Sequence, residues 1–295
     1  MKVLIIGSNG FIGKSVQKVL SLEHEVFVAN RQKSGEKSYK IDLLNPEIIE
    51  QVLREVQPDA VINCAGIINA ADDFTLNITF TKNLLEAIIK SDIRLKRIII
   101  SGSAAEYGLI RSSDLPVGEE TPLNATSEYG ASKVLEEQTA RKYAKQNSLP
   151  IVVARIFNPI GSGMKGRFLI PNLVQQISDY KNRQTDTIKI NRLDSARDYV
   201  SVDDISNAFN ALLKGEPTYF AYNIGSGVST TNAGLLQMLL EDMNLANPQI
   251  LQTSDIVEPL AAVQADISRL KKDFDWSPKV SLEKTIKEII DEQHR

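Results

Sequence analysis

The chain has a single cysteine, Cys64, and only two histidines, His24 and His294, far apart in sequence. One thiol excludes an internal disulfide. The three residues together offer no metal-ligand spacing, and a histidine-based catalytic triad is hard to assemble from them. Cys64 follows Val61-Ile62-Asn63 and precedes Ala65-Gly66, the setting of a buried strand end, so it reads as a core thiol and not as a nucleophile. Long apolar runs are missing as well: none approaches the ~20 residues that cross a bilayer. The apolar run at residues 3–6 is too short for a signal peptide, and a cytoplasmic protein is expected. Nor does one sign of charge dominate, with 34 Lys and Arg against 37 Asp and Glu. The basic residues are dispersed, which argues against a nucleic-acid or membrane partner. Internal repeats and low-complexity tracts are absent.

What is present is a regular alternation. Short apolar runs at residues 3–6, 25–28, 60–63, 97–101 and 151–155 are separated by stretches of helical periodicity at 11–20, 46–56, 76–89 and 127–146. Continuous β-branched runs, such as Ile98-Ile99-Ile100, mean strands covered on both faces. Strand–helix–strand repetition means a parallel sheet with right-handed crossovers. The expected fold is α/β, a doubly wound parallel Rossmann sheet with a smaller C-terminal α/β substrate domain. The regularity weakens after Pro159. We therefore expect residues 1–165 to form the dinucleotide-binding unit, with 199–225 returning to it, and 166–198 and 226–295 to form the substrate-binding unit.

The sharpest local signal is Gly7-Ser8-Asn9-Gly10-Phe11-Ile12-Gly13, between the first strand and the first helix. Gly7 permits a tight turn, Gly10 lets backbone approach a pyrophosphate, and Gly13 lets helix and strand pack closely. The free amides of the helix N-terminus then face the phosphates. This loop assigns a nicotinamide dinucleotide to the chain, with Asn9, Phe11 and Ile12 among the contacts. At the end of the second strand stand Asn30-Arg31 in place of an acidic residue. Asn30 does not repel a 2′-phosphate and Arg31 can pair with one, which favours NADP(H) and leaves NAD(H) as the alternative. Asp42 and Leu43 are expected near the adenine, and Ala65 and Gly66 beside the cofactor.

Tyr129 and Lys133 are four apart near the start of a helix, so they project from one face. An ammonium one turn from a phenol favours the phenolate, and the expectation is a lowered tyrosine pKa suited to acid–base catalysis. Ser103 sits at the C-terminal end of the fourth strand of this alternation, where open α/β sheets bind ligands. It is expected to hold the reacting oxygen.

This order of Ser, Tyr and Lys behind such a glycine loop resembles the extended short-chain dehydrogenase/reductase family, the NAD-dependent epimerases, dehydratases and reductases of nucleotide sugars. The resemblance runs along nearly the whole chain. It includes Asn77, Arg155-Ile156-Phe157-Asn158-Pro159, Arg197-Asp198-Tyr199-Val200, Tyr222-Asn223-Ile224-Gly225-Ser226-Gly227 and Asp275-Trp276-Ser277-Pro278. It implies that Ser103, Tyr129 and Lys133 are catalytic, and that Tyr129, Lys133 and Phe157 line the cofactor. It further implies that Asn158, Arg192 and Arg197 contact substrate, Arg197 as a diphosphate ligand. Within the family, 4,6-dehydratases place Asp-Glu after the catalytic Ser or Thr. Here the positions are Ala104 and Ala105, and Glu106 is expected to point elsewhere. The stretches 101–108 and 115–122 look most like the GDP-4-keto-6-deoxy-mannose reductases. A reductase of a nucleotide-diphosphate 6-deoxy sugar is thus the main expectation, with a 4-epimerase and a non-catalytic cofactor sensor as alternatives. One departure from the family is the lack of Arg or Lys between residues 254 and 263, where a second diphosphate arginine is common. The loops at 161–167 and 254–262 are expected to choose the substrate. The family also implies a homodimer built on helices 76–89 and 127–146.

Overall fold

Valine and isoleucine stiffen the chain at χ1 and suit a pleated surface covered on both sides. Where they cluster, the chain forms strands. The computed structural model describes residues 1–33, 35–68, 73–254 and 262–293. In chain order these form β1 (Lys2–Ile6), α1 (Phe11–Leu20), β2 (Glu25–Asn30), β3 (Ser38–Lys40), α2 (Pro46–Val56), β4 (Ala60–Asn63), α3 (Thr75–Ser91) and β5 (Arg97–Ser103). There follow α4 (Glu128–Asn147), β6 (Ile151–Ile156), β7 (Asn158–Ile160), α5 (Leu169–Lys181), β8 (Ile188–Ile190), β9 (Ala196–Ser201) and α6 (Val202–Lys214). The chain ends with β10 (Ala221–Ile224), β11 (Ser229–Thr231), α7 (Asn232–Asp242), β12 (Ile250–Gln252), α8 (Ser268–Phe274) and α9 (Leu282–Gln293).

Seven strands make one sheet in the order β10-β6-β5-β4-β1-β2-β3, every pairing parallel. The expected doubly wound Rossmann sheet is borne out. Strand order reverses between β1 and β4, the place where such sheets open a crevice at their carboxyl ends. The two faces carry separate apolar layers. On one, Val3, Ile5, Ile62 and Ile99 pack against Phe209 and Leu212 of α6. On the other, Leu4, Ile6, Val61 and Ile98 pack against Leu53 of α2 and Leu84 and Ile88 of α3. Adjacent residues of β1 thus feed opposite layers, as the two-residue strand period requires. Each such fully buried side chain contributes about 1.5–3 kcal/mol.

A three-stranded sheet β11-β9-β7 and a β12-β8 pair lie beyond, over a third apolar cluster formed by α5, α7 and α9. β10 joins the large sheet beside β6. The division expected for residues 226–295 does not describe α8. Leu270 and Trp276 join the layer under α6, because β10 is an edge strand whose open face must be covered. No helix among the described residues is long and apolar enough to cross a membrane. Residues 255–261 of the loop expected to choose the substrate lie outside the described residues, as does His294.

Candidate active site

The carboxyl ends of β1, β2, β4 and β5 bring Gly7, Asn30, Ala65 and Ser103 to one edge of the sheet. Gly7 has φ +80°, and a Cβ on it would come within 2.7 Å of the Ala65 nitrogen. A Cβ on Gly13 would meet Ser8 Cα at 2.8 Å. Both glycines are therefore required by the close approach of backbone to backbone. Helices α2, α4, α6 and α7 are capped by the side chains of Asn45, Ser127, Ser201 and Thr231, whereas α1, like α3, α5 and α8, has no side-chain cap, because Gly10 offers none. The first-turn amides of Phe11, Ile12 and Gly13 are thus left to an anion. A cradle kept clear of Cβ atoms at an uncapped helix start fits the pyrophosphate of a dinucleotide.

The side chain of Asn30 turns back into this loop. Its Nδ2 donates to Ser8 Oγ at 2.9 Å, and its Oδ1 accepts from the Asn9 amide at 3.1 Å. Arg31, next along, is exposed at the same edge. Asp42 is exposed and its Oδ1 accepts from the Leu44 amide, while Leu43 is buried in the layer under α2. Ala65 and Gly66 follow β4 at the crevice. The neighbouring Ile67 is pinned by Asn77, which accepts its amide at 2.7 Å and donates to Ser132 Oγ of α4 at 3.2 Å. Phe157 follows β6 at the same end of the sheet. The residue is 1% exposed, with its ring centroid 6.2 Å from that of Tyr107 and its amide donating to Ile224 O at 2.9 Å. Cys64 is partly buried, and burial pushes its thiol up to about 12. That leaves it unreactive.

Ser127 starts α4 by accepting the Gly130 amide at 3.0 Å, which places Tyr129 in the first turn and Lys133 one turn on. The Tyr129 ring packs edge-on against Phe74 at 5.8 Å. The Ser103 hydroxyl acts on the phenol to favour its ionised form, and its Oγ accepts from the Ala105 amide at 3.2 Å. Ser103, Tyr129 and Lys133 are therefore brought together. The expected fall in the tyrosine pKa is not what results. Burial raises it, and the negative charges of Glu136 and Glu106 raise it further. The Lys133 charge and the Ser103 hydroxyl offset only part of this. Lys133 is drawn down by burial but held above its ordinary value by Glu136 and Tyr129.

Two carboxyls were illegible as site residues. Glu106 lies directly beneath Ser103, fully buried, accepting the Ser103 amide on Oε1 at 2.6 Å. Burial and the charge of Glu137 push it up to about 8. Glu136 pairs with Lys133. The i,i+3 spacing was the available signal for the second. For the first it was Ser103-Ala104-Ala105-Glu106, the S-x-x-E spacing of a capping box, which the short turn after β5 forms. Behind them, Arg155 clamps Glu137 through two bonds of 2.7 and 2.8 Å and donates to Tyr107 Oη at 2.9 Å. Tyr107 in turn donates to Asn223 Oδ1 at 2.6 Å. This network fastens the segment after β5 to β6 and β10.

Among the residues expected to meet substrate, Asn158 Nδ2 donates to Asp198 O at 3.0 Å. Arg192 pairs with Asp194 at 2.6 Å. Arg197 Nη1 donates to Ser195 Oγ at 3.0 Å and Ala196 O at 2.9 Å. Ala104 and Ala105 form a short 3-10 turn after Ser103 and bring no acid or base to the site.

The model of a family described as "NAD dependent epimerase/dehydratase family" matches residues 3–225. Among curated relatives, the GDP-6-deoxy-D-mannose reductase of Pseudomonas aeruginosa is 26% identical, over 98% of this chain and 96% of the relative. The GDP-6-deoxy-D-talose 4-dehydrogenase of Aggregatibacter actinomycetemcomitans is 29% identical, over 82% of this chain and 80% of the relative. Among solved structures, RMD from Pseudomonas aeruginosa complexed with NADPH superposes with a TM-score of 0.87 at 25% identity, covering 100% of this chain and 99% of that one.

Proposed function

The chain belongs to the NAD-dependent epimerase/dehydratase family, and from that membership we propose that it reduces the 4-keto group of a nucleotide-diphosphate 6-deoxy sugar. One observation carries this reading. The site pairs Ser103, Tyr129 and Lys133 with two alanines where a dehydratase needs an acid and a base, so hydride and proton transfer at one carbon is the chemistry its side chains support. The similarity to a GDP-6-deoxy-D-mannose reductase and a GDP-6-deoxy-D-talose 4-dehydrogenase supports the same substrate class.

The cofactor is a nicotinamide dinucleotide held by the Gly7–Gly13 loop and the first turn of α1. When bound, it supplies the hydride. We read the exposed Arg31 as the partner of a 2′-phosphate, which favours NADP(H) over NAD(H). Tyr129 gives its proton to the carbonyl oxygen as negative charge develops there. Ser103 donates to the same oxygen and orients it. Lys133 holds the nicotinamide ribose. Arg197, with Arg192 beside it, neutralises the diphosphate, and Asn158 lies between that group and the reacting end. We further propose a homodimer through the outer faces of α3 and α4, where Ile89 is 40% and Leu135 48% exposed, with sedimentation as the check.

The test is cofactor titration of the purified protein with NADPH and NADH, followed by loss of NADPH absorbance on adding GDP-4-keto-6-deoxy-mannose. Turnover that prefers NADPH supports the reading. NAD retained through purification, with epimerisation and no net cofactor consumption, makes the protein a 4-epimerase. Tight cofactor binding without hydride transfer to any carbonyl makes it a sensor.

A further inference from the structure

The buried side of α4 carries a carboxylate to which the mechanism above gives no role. Glu136, 2% exposed, takes the Lys133 ammonium on Oε2. Its Oε1 accepts from Thr81 Oγ1 of α3 at 2.6 Å, and Thr81 Oγ1 accepts from Asn63 Nδ2 at the end of β4 at 3.2 Å. Lys133 also donates to Ser101 O of β5 at 2.6 Å. Four elements thus fix the ion pair, and both carboxylate oxygens are engaged.

An ammonium has three donors. With two of them on Ser101 and Glu136, a single donor is left to face the phenol and the ribose. The titratable and charged groups facing Lys133 are Tyr129 and Glu136 on α4, Glu106 from the turn after β5, and Cys64 after β4. Arg155 of β6 stands behind Glu106 and is clamped to Glu137. Lys133 is therefore the one cation close to the phenol among these groups, and Glu136 meets its charge directly. In a low-dielectric interior a carboxylate in contact with an ammonium cancels much of the field that the ammonium casts on its neighbours.

We propose that Glu136 is a positioning residue that holds the Lys133 ammonium, keeps the proton on Tyr129, and so extends towards alkaline pH the range in which the site reduces a carbonyl. The substrate side of this inference rests on the reductase reading. In reduction the hydride makes the new C–H bond, the Tyr129 proton makes the new O–H bond, and solvent returns a proton to the phenolate. Glu136 leaves the equilibrium between substrate and product untouched. It sets the pH range in which each direction runs, because reduction starts from the phenol and oxidation from the phenolate.

The experiment is Glu136→Gln, which keeps shape and hydrogen bonding but removes the charge, with Glu136→Asp as the conservative partner. Ionisation of Tyr129 is followed by ultraviolet difference absorbance against the same protein carrying Tyr129→Phe, which requires no substrate. The expected result is that the phenol ionises at lower pH in Glu136→Gln and returns towards the parent in Glu136→Asp. The alkaline limb of kcat/KM for reduction moves the same way, with about a tenfold loss at its alkaline end and little change at its acidic end. A phenol titration identical to the parent in folded Glu136→Gln overturns the inference, as does a uniform loss of activity at every pH. If Glu136→Gln does not fold, Thr81→Val decides: it removes one bond that orients the carboxylate and is expected to move the phenol the same way by less. An unmoved phenol there also overturns the inference. Absence of turnover with a shifted phenol sinks the sugar assignment and leaves the role of Glu136 standing.

Discussion

Asn30 and Ser8, the last residue of β2 and the second of the glycine-rich loop, are joined side chain to side chain at 2.9 Å. The same amide takes the Asn9 backbone on its oxygen, so one residue 5% exposed secures the glycine-rich loop proposed to hold the cofactor. Asn30→Ala is expected to weaken NADPH and NADH binding together, because it loosens the shared cradle. Arg31→Ala is expected to weaken NADPH alone, by roughly tenfold, since a charge-assisted contact to a phosphate contributes about 1.5–3 kcal/mol. Paired titrations with the two cofactors separate the cases. Equal losses of both cofactors in Arg31→Ala would return the preference to NAD(H).

Tyr129→Phe is expected to lower kcat by roughly a hundredfold to ten-thousandfold with cofactor affinity retained, the range that a general acid contributes. Single-turnover rates and binding titrations on one preparation supply both quantities. Full activity in this variant would remove the tyrosine from the proton path.

Glu106 predicts a pH dependence of stability. Its folded pKa of about 8 lies above the usual 4.5, chiefly through burial, so the folded state holds its proton more tightly than the unfolded chain. The stability this provides is complete below 4.5 and is lost as pH rises through about 8. Glu106→Gln, which cannot ionise, is expected to flatten the fall of the thermal midpoint across that interval. Parallel profiles for parent and variant would show that Glu106 does not titrate there.

Arg197 and Asp198 are adjacent on β9 and do different work. Asp198 is fully buried and accepts from the Ser226 amide at 2.6 Å, Ser226 Oγ at 2.7 Å, and the amides of Gly227 and Ala265 at 2.9 Å each. Asp198→Asn turns an acceptor into a group with two donors facing donors, and is expected to cost about 2 kcal/mol of stability by urea denaturation. Arg197→Ala is expected to raise KM for the sugar nucleotide at least about tenfold with a smaller change in kcat, the pattern of lost uniform binding. An unchanged KM would free Arg197 from the diphosphate.

Gly13→Ala is expected to abolish cofactor binding or folding, since its Cβ would stand 2.8 Å from Ser8 Cα. A soluble variant with parental affinity, seen by titration, would show that the turn can open.

The parallel sheet, the glycine loop and the Tyr129–Lys133 pair were legible because each is written in local spacing. A strand shows as a β-branched run, a phosphate turn as glycines between strand and helix, and a shared helical face as a separation of four. The helices at Phe11–Leu20 and Pro46–Val56 begin and end where that periodicity does. The short strands β3, β7, β11 and β12 were not legible, because three residues carry no period and exist only through their partners. α8 was missed for the same reason at a larger scale, since it is defined by what it covers, whereas residues 199–225, which hold β10, were expected to return to the first unit.

By itself, then, the sequence determined the fold class, the glycine-rich loop between β1 and α1 and the pair on α4, all of which follow from residues near one another in the chain. The tertiary structure alone decided that Asn30 serves the loop, that Asp198 is spread over four donors, that Glu106 lies under Ser103, and that Glu136 answers Lys133 with Thr81 behind it. Those roles depend on contacts such as Thr81 to Glu136, 55 residues apart, and Ala265 to Asp198, 67 apart. They depend equally on burial, which turns an ordinary surface carboxylate into a group whose charge must be met or given up. Neither property belongs to a residue's spacing along the chain; both arise only when separate elements close around it.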